Sequence, residues 1–227
     1  MNAQRTIVDK ITTKSSMKLQ VFENLQHTFQ TLKRTAQEIA SETDRKVTKI
    51  NKKLVVEFRD KGEFEGELRF AGDILVFTMH TNVFEFPRMH EVMKTSYVNE
   101  DPTRSYCGII SVYNFLADSF RYNRVNDLGY LVARIFINKD RHFIVEGKRQ
   151  SGFSYAQFSK EPINKMDLVN IIESAMIYSI DFDLLTPPYD LVKEVSVLEM
   201  QENAYNMKTK TGKRLGFRFQ ADHDKIN

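Results

Sequence analysis

The sequence predicts an α+β protein: a long N-terminal amphipathic helix, then a largely antiparallel sheet with C-terminal helices on one face. Two observations predict it. Residues 4–50 contain neither glycine nor proline and carry apolar side chains at helical spacing. From residue 53 the apolar period falls to two, and turn residues separate short runs. The expected organisation is a helical arm over 1–52 and an α+β domain over 53–227.

Within the arm, Phe22, Leu25, Phe29, Leu32, Ala36 and Ile39 are spaced 3, 4, 3, 4 and 3, which is a heptad seam. Val8 and Ile11 continue the frame backward, but Lys18 and Ser15 interrupt it. So narrow a stripe suits a facing helix, and two phenylalanines are bulky for a tight two-stranded coil. The seam therefore predicts coiled-coil-like self-association, or docking of a protein partner, through Phe22, Leu25, Phe29, Leu32, Ala36 and Ile39. The competing expectation is that the same stripe packs on the protein's own body.

In the body, "KLVVEFRD" (53–60), "EFEGELRF" (63–70) and "DILVFTMH" (73–80) read as consecutive strands with turns at Lys61-Gly62 and Ala71-Gly72. In the second, Phe64, Gly66, Leu68 and Phe70 share one face, and Glu63, Glu65, Glu67 and Arg69 the solvated other. "NVFEF" (82–86) is expected to continue the meander. Residues 94–105 read as a loop, with Asp101-Pro102 a turn signal. Residues 106–120 start as strand. Residues 128–138 and 141–148 form a hairpin around Lys139-Asp140. A helix follows Pro162, with Leu168, Ile171, Ala175 and Tyr178 on one side. A second covers 189–203 with Leu191, Val195 and Leu198 aligned, and a last strand covers 213–219. Strands, then helices, then a strand define the α+β class.

Composition narrows the function classes. A single cysteine, Cys107, excludes an internal disulfide framework and a multi-cysteine zinc site. No apolar run approaches the roughly 20 residues that span a bilayer, and the first sixteen residues lack a signal-peptide core. A cytoplasmic protein with no membrane span is expected. Net charge is +3, distributed as +6 over residues 1–53, −6 over 54–200 and +3 over 201–227. Basic ends on an acidic body suit nucleic acid, and equally suit ends lying against the body. At the C-terminus Lys208, Lys210, Lys213, Arg214 and Arg218 surround Phe217, a candidate anion-binding set. There is no G-x-G-x-x-G, P-loop or G-x-S-x-G motif.

The one stretch with catalytic form is Glu146-Gly147-Lys148. Residues two apart on a strand share a face, so Glu146 and Lys148 are expected to point together. An acid followed by Glu-x-Lys resembles the metal-dependent nucleases of the PD-(D/E)xK type. That resemblance implies Mg²⁺ or Mn²⁺ held by Glu146 and a second carboxylate, with Lys148 orienting the attacking water. It covers some thirty residues. Gln150 and Tyr155 lie one residue further apart than in the branch of that family that uses them. The nearest upstream acid, Asp127, fails on reach. In a tight hairpin Glu146 faces residues 132–134, which leaves Asp127 on the order of 16 Å along the strand. The same register makes Arg134 a diagonal neighbour of Glu146 and puts Leu131, Ala133, Ile135 and Ile137 on one core face with Phe143 and Val145. The opposite face mixes charged with apolar residues. A cover is expected there from the later helices, the arm or a partner.

His80 and His90, with Glu91 beside the second, are a further candidate metal set, for zinc, separate from Glu146, although lone histidines are more often hydrogen-bonded surface residues. These readings predict a non-catalytic cytoplasmic binding or scaffold protein acting through its N-terminal helix. The alternatives are a nuclease using Glu146 and Lys148, or a nucleic-acid-binding protein using its basic termini. No cofactor is expected outside the nuclease alternative.

Overall fold

The computed structural model describes residues 3–125, 127–147, 158, 161–183, 186, 188–198 and 200–201. A continuous helical run opens the chain: α1 (Ala3–Lys10), a π-helical turn (Ile11–Ser15) and α2 (Ser16–Ile50). The strands are β1 (Val56–Asp60), β2 (Glu65–Phe70), β3 (Asp73–Met79), β4 (Phe84–Glu85), β5 (Tyr106–Leu116), β6 (Tyr130–Asn138) and β7 (Phe143–Gly147). Short helices α3 (Ser96–Glu100) and α4 (Ala117–Arg121) flank β5, and α5 (Lys165–Asp181) and α6 (Tyr189–Val192) follow the sheet. The described strands form one antiparallel sheet in the order β1-β2-β3-β5-β6-β7. The α+β arrangement read from the sequence is therefore present.

The heptad seam meets the sheet. Leu25, Phe29, Leu32 and Ala36 are fully buried in one core with Leu68, Leu75, Phe77, Ile110, Ile135 and Ile137, and Phe22 and Ile39 pack at its margin. Helix α5 completes the layer with Leu168, Ile171, Ile172 and Ala175. Its start is set by a capping box: Asn164 accepts from the Met166 and Asp167 amides, and Asp167 accepts from the Asn164 amide. A broad apolar sheet face accepts the narrow stripe because one strand yields space. A Cβ built on Gly108 stands 2.5 Å from Leu25 Cδ2, so only glycine lets β5 come this close to α2. Polar contacts also pin the helix. Lys33, almost wholly buried, donates to Asp60 (2.8 Å) and to the Gly62 carbonyl (2.8 Å). Asn24 donates to the Lys139 carbonyl at 2.7 Å. Asp44 accepts from the Val56 amide at 3.1 Å.

Several local expectations need correction. β4 pairs with the start of β5 (Phe84↔Cys107), not with β3. Residues 94–105 are not a bare loop. Thr95 caps α3, and Asp101 caps a 3-10 turn (Pro102–Ser105), so Asp101-Pro102 is a helix start. Glu67 is buried beside Lys61 and does not face solvent. Phe64 is more than one-third exposed. A bulge shifts the β5–β6 register between Val112 and Tyr113: Ala133 faces Val112, but Leu131 faces Tyr113. The extra residue, Val132, enters the main core, and Leu131 turns out to solvent. Over 189–203 the helix is interrupted: α6 ends at Val192, helical residues resume at Val197 and Leu198, and Val195 and Leu198 are exposed. The strand read at 213–219 lies outside the described residues.

Substituting Gly108 tests the helix–sheet contact. Gly108→Ala is expected to cost about 1–3 kcal/mol through overpacking, and Leu25→Ala about 2–5 kcal/mol through a cavity. In urea unfolding the double variant is expected to be less destabilised than the sum of the two, because the new methyl occupies the vacated space.

Candidate functional site

The face of β6 and β7 that carries Glu146 is covered from a direction none of the expectations named. Phe86, Val92 and Val98, from the segment between β4 and β5, bury Cys107, Phe136 and Ile144 in a second small core. The cover is riveted at the β6–β7 turn. The Tyr97 hydroxyl donates to Asp140 (2.9 Å) and accepts from the Asn138 amide (3.0 Å). Arg104 lies over the Tyr97 ring at 4.3 Å and donates to Asp140 at 3.1 Å. Lys139 pairs with Asp101 (2.9 Å) and Asp140 (3.3 Å), and the His142 ring stacks on Tyr97 at 5.0 Å. Burial pushes the Tyr97 hydroxyl up to about 12. The Thr103 hydroxyl and the Lys139 ammonium hold Asp101 down to about 2. Every charge here is matched within the chain, so the cluster ties the cover segment to the hairpin.

Glu146 sits at the edge of this cover. Arg134 stands directly opposite it across the β6–β7 ladder, not diagonally, and donates to its carboxylate. His90 Nε2 lies 3.6 Å from the other carboxylate oxygen. Of the candidate metal ligands, His90 and Glu146 thus meet, and the Arg134 guanidinium stands against the same carboxylate. The His90 Nδ1 accepts the Val92 amide (3.3 Å), so a neutral ring carries its proton on Nε2, toward Glu146, and offers no lone pair there. His80 Nδ1 accepts the Asn82 amide (3.0 Å) in the same way, and its ring packs edge-on against Phe84. Asp127 is engaged elsewhere, by Arg124 (2.8 Å) and Ser119 (2.6 Å). Among the described residues no group of three or more His, Cys, Asp or Glu side chains is placed to hold a metal ion. Lys148, Gln150, Tyr155 and the basic set Lys208, Lys210, Lys213, Arg214 and Arg218 lie outside the described residues.

Two surface features are left without an internal role. The first is the start of the helical run. Residues 3–16 are all exposed, although Ile7, Val8 and Ile11 share one arc at 57%, 54% and 58% exposure. Every face of this end is exposed, so the arc stands clear of the sheet, and the π-helical turn also shifts its direction relative to the seam. One extra residue in a turn rotates the preceding helix by roughly 100°. Near the base of this end Lys14 and Lys18 lie over the sheet, their ammonium groups 5.3 and 5.7 Å from the Tyr106 ring centre. The second feature is a cleft of about 410 Å³ at the other end of α2. Val47, Leu54, Phe70, Leu116, Met176 and Ile180 supply its apolar walls, and Asp73 and Asp118 its charge. The sequence signal for the cleft is spread over five segments, and no local pattern announces it.

The chain matches no protein-family model, no curated protein and no solved structure. Among the described residues no helix is long and apolar enough to cross a membrane.

Two measurements check the chemistry of this region. Asp101 titrates lower in the folded chain than its ordinary 3.8, so its contribution is present above pH 3.8 and disappears as pH falls toward 2. Asp101→Asn is expected to lower stability by about 1 kcal/mol at neutral pH, a figure reduced for its partial exposure. The difference from the parent in urea midpoint is expected to vanish near pH 2. Burial, and then the Glu146 charge, push the Cys107 thiol up to about 12. Ellman's reagent at pH 8 is therefore expected to find no reactive thiol in the native protein and the single cysteine after unfolding.

Proposed function

We propose that this is a non-catalytic binding protein that associates with a protein partner, foremost a second copy of itself, through the exposed end of its N-terminal helix. The observation that carries the reading is the contrast along one helical run. From Val21 to Ala40 the apolar side chains are buried in the body, whereas Ile7, Val8 and Ile11 stand in water on a shared arc. Burying the exposed part of three such side chains, a little over half of each, is worth roughly 2–5 kcal/mol before the entropic cost of association. Arg5 and Lys10 flank the arc on either side, and Asp9 is the one acid among residues 1–20. An apolar stripe with basic margins is the form of a helix that lies in an apolar groove with acidic edges. The docking element is thus the helix end. The seam that first suggested association serves the protein's own core.

The test leaves the core untouched. In Ile7→Glu/Ile11→Glu no buried residue changes, so circular dichroism and the melting temperature are expected to match the parent. Sedimentation velocity is expected to show an associated parent and a variant whose dissociation constant is at least tenfold weaker. Identical sedimentation of the two proteins would remove the helix end from any role in self-association.

A further inference from the structure

We infer that the receptor for this helix end is the apolar cleft at the opposite end of α2 in a second copy, so that two chains exchange their N-terminal ends reciprocally. The inference rests on the docking role proposed above for Ile7, Val8 and Ile11.

Three observations lead to it. The cleft has the chemistry that the helix end lacks. Its walls are apolar, and among the described residues its charged lining side chains are Asp73 and Asp118, with no lysine, arginine or histidine. Asp73 is buried and Asp118 is half-buried, so Asp118 is the carboxylate available to a basic margin such as Arg5 or Lys10. Secondly, the cleft is incompletely closed. Ile180 is 56% and Leu54 40% exposed, and Ile177 of α5 and Ile50 at the end of α2 are also exposed. An apolar volume of this size open to water is the common form of a binding pocket. Thirdly, the helix end cannot reach the cleft of its own chain. The helical run is continuous from Ala3 to Ile50, and Ile11 and the cleft-lining Thr43 lie on the same rod. At 1.5 Å per residue they are separated by about 50 Å.

A second copy turned end for end satisfies both sites. Its helix end reaches the first copy's cleft, and the two-fold axis brings the first copy's helix end to its cleft. The pairing is isologous and closes at two chains. The exposed middle of α2, with Glu23, His27, Arg34, Gln37, Ser41, Glu42 and Arg45, is polar and is not required to be buried.

Complementation between two variants tests the exchange. Ile7→Glu/Ile11→Glu disables the helix end and leaves the cleft. Leu54→Glu/Ile180→Glu disables the cleft through two rim positions and leaves the helix end. Each full-length variant alone is expected to sediment as a monomer where the parent is a dimer. An equimolar mixture is expected to form a heterodimer through the one remaining intact pairing, with an affinity below that of the parent. Unchanged melting temperatures keep misfolding out of the comparison. If the cleft variant dimerises like the parent while the helix-end variant does not, the cleft assignment is overturned and the docking role of the helix end stands. If both variants dimerise, or if the parent is monomeric, both proposals fall. If the mixture stays monomeric although each variant is folded, reciprocal exchange is overturned.

Discussion

The structure depends on the close contact between α2 and the middle of the sheet. Leu25 lies against Gly108 with no room for a side chain, and Phe29, Leu32 and Ala36 continue the contact across the sheet. Without the helix, that sheet face keeps only α5, and Leu68, Leu75, Phe77, Ile110 and Ile135 lose part of their cover. The contact also orients the polar pins, Lys33 to Asp60 and Asn24 to Lys139, which are short because the helix is already held down. A buried lysine is tolerated because its ammonium has a carboxylate and a carbonyl within hydrogen-bond distance.

A second consequence follows at the far face. With one side of the sheet filled by helices, Phe136, Ile144 and Cys107 need a separate cover, and the segment between β4 and β5 supplies it. The tyrosine, arginine and aspartate cluster at the β6–β7 turn fastens that cover, and Gln20 and Asn24 of α2 donate to the same turn. One hairpin turn thus joins the helix, the cover and the sheet. Glu146 is drawn into this arrangement through Arg134 and His90, and its charge contributes to keeping the nearby thiol protonated.

Much of the architecture was legible in the residues because it is local or periodic. The alternation of β1 to β3, the unbroken helix-compatible run before residue 50 and the capped helix after Pro162 each carry their own signal. Asp101-Pro102 was visible but ambiguous, since Asp before Pro begins a turn and a helix with equal ease. The bulge at Val132 was not legible. An extra residue in one strand is defined by its partner, and a chain read alone has no partner. Leu131 faces solvent because of that bulge, whereas the place of Arg134 opposite Glu146 is set by the length of the β6–β7 turn.

By itself the sequence determined that residues 4–50 form a helix with one apolar stripe, that the body is a largely antiparallel sheet, and that Asp127 cannot share a metal with Glu146. These follow from periodicity and chain reach, which act along the chain. Only the tertiary structure decided what the stripe touches, because a heptad seam and a sheet-packing stripe differ in their partner and not in their spacing. It likewise decided that the cover over Glu146 comes from 86–105, and that five separated segments meet in one apolar cleft. Such contacts join residues far apart in sequence, and their identity is set by shape and burial in three dimensions.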